Sequence, residues 1–148
     1  MRRLFVGILI ASCANAGAND CVILLHGLAR ASASMDKLDD ELTRQGYSVM
    51  NHPYPSRHKK IQQLASSEIP LALDKCTAKG EVHFVTHSLG AIVLRQYLND
   101  YSIERLGRTV MLAQPNQGSQ VVDKLKGIPG FKLINMRNDT VIKQVIFS

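Results

Sequence analysis

No histidine follows position 87 in the 148 residues, tryptophan is missing altogether, and cysteine occurs three times. Each shortage excludes something. Aromatic residues make up 5% of the chain and none is interleaved with a basic run, so no stacking platform for nucleic acid is encoded. The cysteines at 13, 21 and 76 have no histidine spacing of the kind that holds a metal, and no cofactor motif is present. There is no internal repeat, low-complexity tract or linker-like stretch. One domain is therefore expected, long enough to bury a core. At 45% hydrophobic and 20% charged the composition is ordinary for a globular protein. The net charge of +6 is mild. Its densest cluster, Arg57-His58-Lys59-Lys60, reads as a solvated loop, with contact to an anionic membrane surface as the alternative.

What is present starts with the N-terminus. Met1-Arg2-Arg3 is a short positive start, and the apolar residues 4–11 are too few to span a bilayer. Ala14-Asn15-Ala16 is a small-x-small cleavage signature. Residues 1–16 thus read as a secretory signal and 17–148 as the mature domain, periplasmic or secreted. Ile10-Ala11-Ser12-Cys13 offers a second reading as a lipobox, with Cys13 lipidated. In either compartment Cys21 and Cys76 are candidates for a disulfide, with two buried free thiols as the alternative.

Along the mature chain, apolar runs alternate with helical patterns. Cys21-Val22-Ile23-Leu24-Leu25 is a continuous apolar run suited to a strand buried on both faces. Met35, Leu38 and Leu42 recur at helical spacing, with Ser34 as expected N-cap and Gly46 as expected stop. A strand is expected at 47–50, a helix at about 61–76 kinked by Pro70, a strand at 81–85, a helix to about 99 and a strand at 109–113. Residues 120–126 read as one or two helical turns. Such alternation implies an α/β fold: a parallel sheet of about four strands with flanking helices and right-handed crossovers. The residues that follow the strands, His26-Gly27, His52, Ser88 and 114–119, then gather at one edge of the sheet, where ligands bind in such folds.

The most specific segment is Thr86-His87-Ser88-Leu89-Gly90, between an apolar strand and an apolar helix. Strand, sharp turn and helix form the setting of a G-x-S-x-G nucleophile elbow, here with threonine at the first glycine. The turn lifts the serine hydroxyl off the sheet, and the helix start offers free N–H groups.

Three motifs together, Leu24-Leu25-His26-Gly27-Leu28, Thr86-His87-Ser88-Leu89-Gly90 and Pro115-Asn116-Gln117-Gly118-Ser119, make the chain resemble the α/β-hydrolase family, in particular its secreted bacterial lipase/esterase-like members. The likeness covers about 21–126. It implies that Ser88 is the nucleophile of an acyl-enzyme mechanism, with the backbone N–H groups of Leu28 and Leu89 as the oxyanion hole. It gives His26, Gly27, His87 and Gly90 site-shaping roles. Gly27 is expected at an unusual backbone angle, and Gly90 allows close helix packing.

The departure from the family's pattern lies in the missing partners. The family's order is Ser, then Asp or Glu, then His. Here all five histidines (His26, His52, His58, His83 and His87) precede Ser88. Asp123 and Asp139 are the only acids after Glu104, and the tail from about 135 is atypical. The resemblance therefore implies a C-terminally truncated or frameshifted hydrolase of weak or no activity. The other account is a minimal variant recruiting His52 as base; His83 is expected in the core. Three functions stay open: a serine esterase on a small-molecule ester or lipid, a non-catalytic acyl-binding or accessory protein, and an acyltransferase. An open sheet edge also predicts self-association.

Overall fold

The computed structural model describes residues 19–28 and 30–112. The expected signal segment with Cys13, the Pro115-to-Ser119 motif, the turns at 120–126 and the tail lie outside these. Within them the chain runs β1 (Cys21–Leu25), a 3-10 turn (Ser32–Met35), α1 (Asp36–Arg44), β2 (Ser48–His52), α2 (Ile61–Lys75), β3 (Val82–His87), α3 (Leu89–Asp100) and β4 (Leu106–Leu112).

The four strands form one parallel sheet in the order β2-β1-β3-β4. The fold is α/β, as the alternating apolar runs predict. β1 lies inside the sheet and is buried along its whole length, which is why its sequence is apolar without interruption. Its side chains divide between two cores. Cys21, Ile23 and Leu25 face α2 and α3, packing with Leu64, Ile69, Phe84 and Leu94. Val22 and Leu24 face α1, with Met35, Leu38 and Leu42. The chain moves one way from β1 to β2 and the other way from β2 to β3 and β4. Right-handed crossovers must then put α1 on one face and α2 and α3 on the other, and they do. The reversal of direction places a crevice between the carboxyl ends of β1 and β3.

Local chemistry sets the element ends. α1 closes on Gly46 at φ 94°. Gly46 N–H donates to Thr43 O at 3.0 Å and Tyr47 N–H to Leu42 O at 3.1 Å, a Schellman ending. Ser34 does not cap α1. Its hydroxyl donates back to Ala31 O at 2.8 Å inside the 3-10 turn, and α1 begins after Met35 with no side-chain cap. α2 continues past Pro70 to Lys75 as one helix. Cys21 and Cys76 form a disulfide, Cα–Cα 5.9 Å, joining the start of β1 to the residue after α2.

His83 departs from the expected core placement. It is half-buried on the α1 face of the sheet, its Nε2 is 3.4 Å from Asp20 Oδ2, and its Nδ1 accepts from Arg108 N–H at 2.8 Å. Burial among apolar groups would leave both ring nitrogens unpaired; the strand end supplies two polar partners instead. Among the described residues no helix is long and apolar enough to cross a membrane.

Candidate active site

Ser88 sits between the last residue of β3 and the first of α3, with φ 50° and ψ −109°. It is the one non-glycine residue with positive φ among those described. Such a conformation costs on the order of 1–3 kcal/mol and persists only where the surroundings impose it. Two bonds hold it: Ser88 N–H donates to Leu112 O at 3.0 Å, and Ser88 O accepts from Ala91 N–H at 3.1 Å. The chain reverses sharply, Ser88 stands half-buried at the end of β3, and α3 starts immediately behind it.

The reversal is tight because α3 packs on β1. A Cβ at Gly90 would lie 2.5 Å from Leu25 O and 2.9 Å from Leu25 Cβ. Only glycine fits, and the start of α3 is thereby drawn against the end of β1. The N–H groups of Leu89 and Gly90, at the start of α3, have no intrahelical acceptor.

The loop after β1 lies on the other side of that crevice. Gly27 does not have a left-handed backbone; among the described residues Gly46 is the glycine with positive φ. The reason for glycine at 27 is a neighbour: a Cβ there would be 2.7 Å from His87 Nδ1. His87 therefore rests against the loop, tying it to the elbow. His26 is fully buried. Its Nδ1 lies 2.9 Å from Gly27 O, its Nε2 is 3.5 Å from Tyr54 N, and Tyr54 hydroxyl donates to its carbonyl. The two rings stack at 4.2 Å. Leu28 is half-buried against the core.

The structure thus brings Ser88, Leu89, Gly90, His87, His26, Gly27 and Leu28 to adjoining strand ends, since Leu25 pairs with Thr86. It does not bring His52 to Ser88. His52 pairs with Leu25 from the far side of β1, two interstrand spacings (about 10 Å) from Thr86. Its Nε2 is 3.2 Å from Glu68 Oε2 in a pair that is almost completely buried. Burial holds the imidazole below its ordinary value against the opposing pull of Glu68. Burial alone would push Glu68 up, but the hydrogen bonds from Lys59, Ser67 and His52 together hold it below the usual carboxylate range. His83 lies about 16 Å down β3 from Ser88, and His58 is exposed in the loop after β2. Among the described residues no hydrogen bond joins a histidine to Ser88, and no three His, Cys, Asp or Glu side chains form a group that could hold a metal ion.

Tyr54 and Glu68 are the neighbours that motif reading misses. Glu68 had a legible signal. Ile61, Leu64, Ala65, Glu68, Ile69 and Ala72 lie on one helical face and all are buried, so a carboxylate in that stripe requires a partner.

No protein-family model matches the sequence, and no curated protein does. Solved structures do resemble the fold. An extracellular α/β-hydrolase from a Paenibacillus species superposes with TM-score 0.56 at 20% identity, over 70% of this chain and 45% of that one. The lin2722 product of Listeria innocua gives 0.54 at 17% identity, over 66% and 52%. PytH gives 0.51 at 20% identity, over 65% and 40%. The chain spans about half the length of these proteins or less. With a β2-β1-β3-β4 parallel sheet, helices on both faces, a serine at a strained strand-to-helix turn and these likenesses, the chain carries the core of the α/β-hydrolase fold.

Proposed function

We propose that the chain is a serine carboxylic-ester hydrolase by descent, acting on a small-molecule ester or lipid through Ser88. The observation that carries the reading is the backbone of Ser88, φ 50° at the crevice between β1 and β3. A strained backbone at a strand-to-helix turn is the setting in which a nucleophile elbow presents its hydroxyl, and this supports the reading. In the proposed step Ser88 Oγ attacks the ester carbonyl and loses its proton to a base. The tetrahedral oxygen takes hydrogen bonds from the N–H groups of Leu28 and Leu89. Collapse expels the alkoxide, which takes that proton from the base and leaves as the alcohol; the acyl-enzyme that remains is then cleaved by water to the acid and free Ser88. One oxyanion donor contributes about 3 kcal/mol to such a step.

No base for that proton is found among the described residues. An oxyanion hole and binding alone give about 10³–10⁴-fold acceleration over water. We therefore expect the 148-residue polypeptide to turn over a short-chain p-nitrophenyl ester slowly and to be labelled at Ser88 by a fluorophosphonate probe. Brisk turnover lost in Ser88→Ala would overturn the expectation of weak activity. The Ser88 hydroxyl, without a hydrogen-bond partner among the described residues, favours a second reading, a non-catalytic acyl-binding protein on the same fold. Intact folded protein that takes no label at Ser88 supports that reading and defeats the first.

A further inference from the structure

The loop after β1 is held by a buried network that reaches across the sheet end to α2, and no step of the proposed ester chemistry uses it. The peptide unit between Gly27 and Leu28 carries two groups. One is the Gly27 carbonyl and the other is the Leu28 N–H, the proposed oxyanion donor. No peptide among the described residues is cis, so in this planar trans unit the two point in opposite directions. Whatever fixes the carbonyl aims the N–H.

The carbonyl is fixed twice, by His26 Nδ1 at 2.9 Å and by Arg30 N–H at 3.3 Å. For the first contact His26 must carry its hydrogen on Nδ1. The Tyr54 backbone selects that tautomer: its N–H can only donate, and it faces Nε2 at 3.5 Å. Tyr54 further grips the loop through its hydroxyl on His26 O and through the stacked ring. Behind Tyr54 stands His52, its ring parallel to the Tyr54 ring at 9° with centroids 6.3 Å apart. Glu68 Oε2 accepts from His52 Nε2, and Glu68 Oε1 accepts from Lys59 Nζ at 2.8 Å and from Ser67 hydroxyl at 3.0 Å. His52 Nδ1 has no partner among the described residues. With the hydrogen on Nε2, the unmatched atom is an acceptor rather than an orphaned donor.

We propose that Tyr54, with His52 and Glu68 behind it, is a positioning device that holds His26 in its Nδ1–H tautomer and so aims the Leu28 N–H at the crevice beside Ser88. The role rests on the reading of Ser88 and Leu28 given above. These residues do not touch the reacting atoms; they act through His26 and the Gly27–Leu28 peptide. The sequence separation of the partners, from 26 to 54 and from 52 to 68, makes the device a product of the fold and invisible to local pattern.

The test uses the whole chain, with Tyr54→Phe keeping the stacked ring and Glu68→Gln keeping the side-chain shape. Nitrogen-15 shifts of the His26 ring report its tautomer, amide exchange reports the order of Leu28, and fluorophosphonate labelling reports reactivity at Ser88. In the wild type the ring should show hydrogen on Nδ1. Both variants should unfold cooperatively, exchange Leu28 faster, and label about tenfold more slowly, the size expected for a misplacement well under 1 Å. Hydrogen on Nε2 in the wild type overturns the proposal. So does a Tyr54→Phe protein with unchanged Leu28 exchange and labelling within twofold of the wild type. If the wild type takes no label, the reading of Ser88 fails separately. The positioning proposal is then judged by Leu28 exchange in Tyr54→Phe, where acceleration supports it and no change overturns it.

Discussion

Ser88 and Gly27 exchange the roles that the sequence suggests for them. Glycine at 27 looks like the residue of unusual backbone angle, yet the strained backbone belongs to the serine. Gly27 is small because His87 lies against it. A serine at φ 50° loses stability that glycine would not. Replacing Ser88 by glycine should therefore stabilise the fold by about 1 kcal/mol, after the extra chain entropy of glycine is subtracted. Thermal unfolding should move up by about 3–5 °C for a domain of this size, while Ser88→Ala, which keeps a Cβ, should move it little. A Ser88→Gly protein that melts at or below the Ser88→Ala temperature would show that the turn is relaxed and that strain does no work at this position.

Among the elements, the strands were the most legible. β1 is a closed apolar run, and β3 and β4 lie within a few residues of their expected bounds, because branched apolar side chains between polar stretches have few other uses. The ends of α1 show the limit. Gly46 stops it as its lack of a side chain predicts, whereas Ser34, an equally good cap by type, spends its hydroxyl on Ala31. The elbow was legible because its chemistry is local. The supports of the loop facing it were not, since Tyr54, His52 and Glu68 meet only after β2 and α2 have packed. The pairing of β2 with α2 through His52 and Glu68 has a pH signature. The folded imidazole sits below its ordinary value of 6.5. As pH falls through 6.5 the unfolded chain gains a proton at 52 that the folded chain refuses, so stability falls with acidification. Glu68, held below 4.5, adds a loss of the same sign as pH falls further. Urea unfolding from pH 7.5 to 4 should show the wild type losing stability relative to His52→Gln as pH drops below 6.5. Parallel profiles for the two proteins would remove His52 from this account.

At the scale of the molecule, α2 is fastened to the sheet at two points. Its middle reaches the carboxyl edge through Glu68 and His52, and Cys76 just past its end is bonded to Cys21 at the amino edge. The segment between β2 and α2 carries Arg57, Lys59 and Lys60 on the surface, three places where trypsin can cut. Every one of them falls between residues 21 and 76. A single cut there opens the backbone without releasing a fragment. Limited digestion should therefore leave a particle that runs as one band on a non-reducing gel and as two after thiol treatment. Two fragments that meet at a cut within 57–60 and separate without thiol would mean that the covalent bond between residues 21 and 76 is not formed in solution. The disulfide thus turns a surface loop that proteases can reach into one whose loss the molecule survives in one piece.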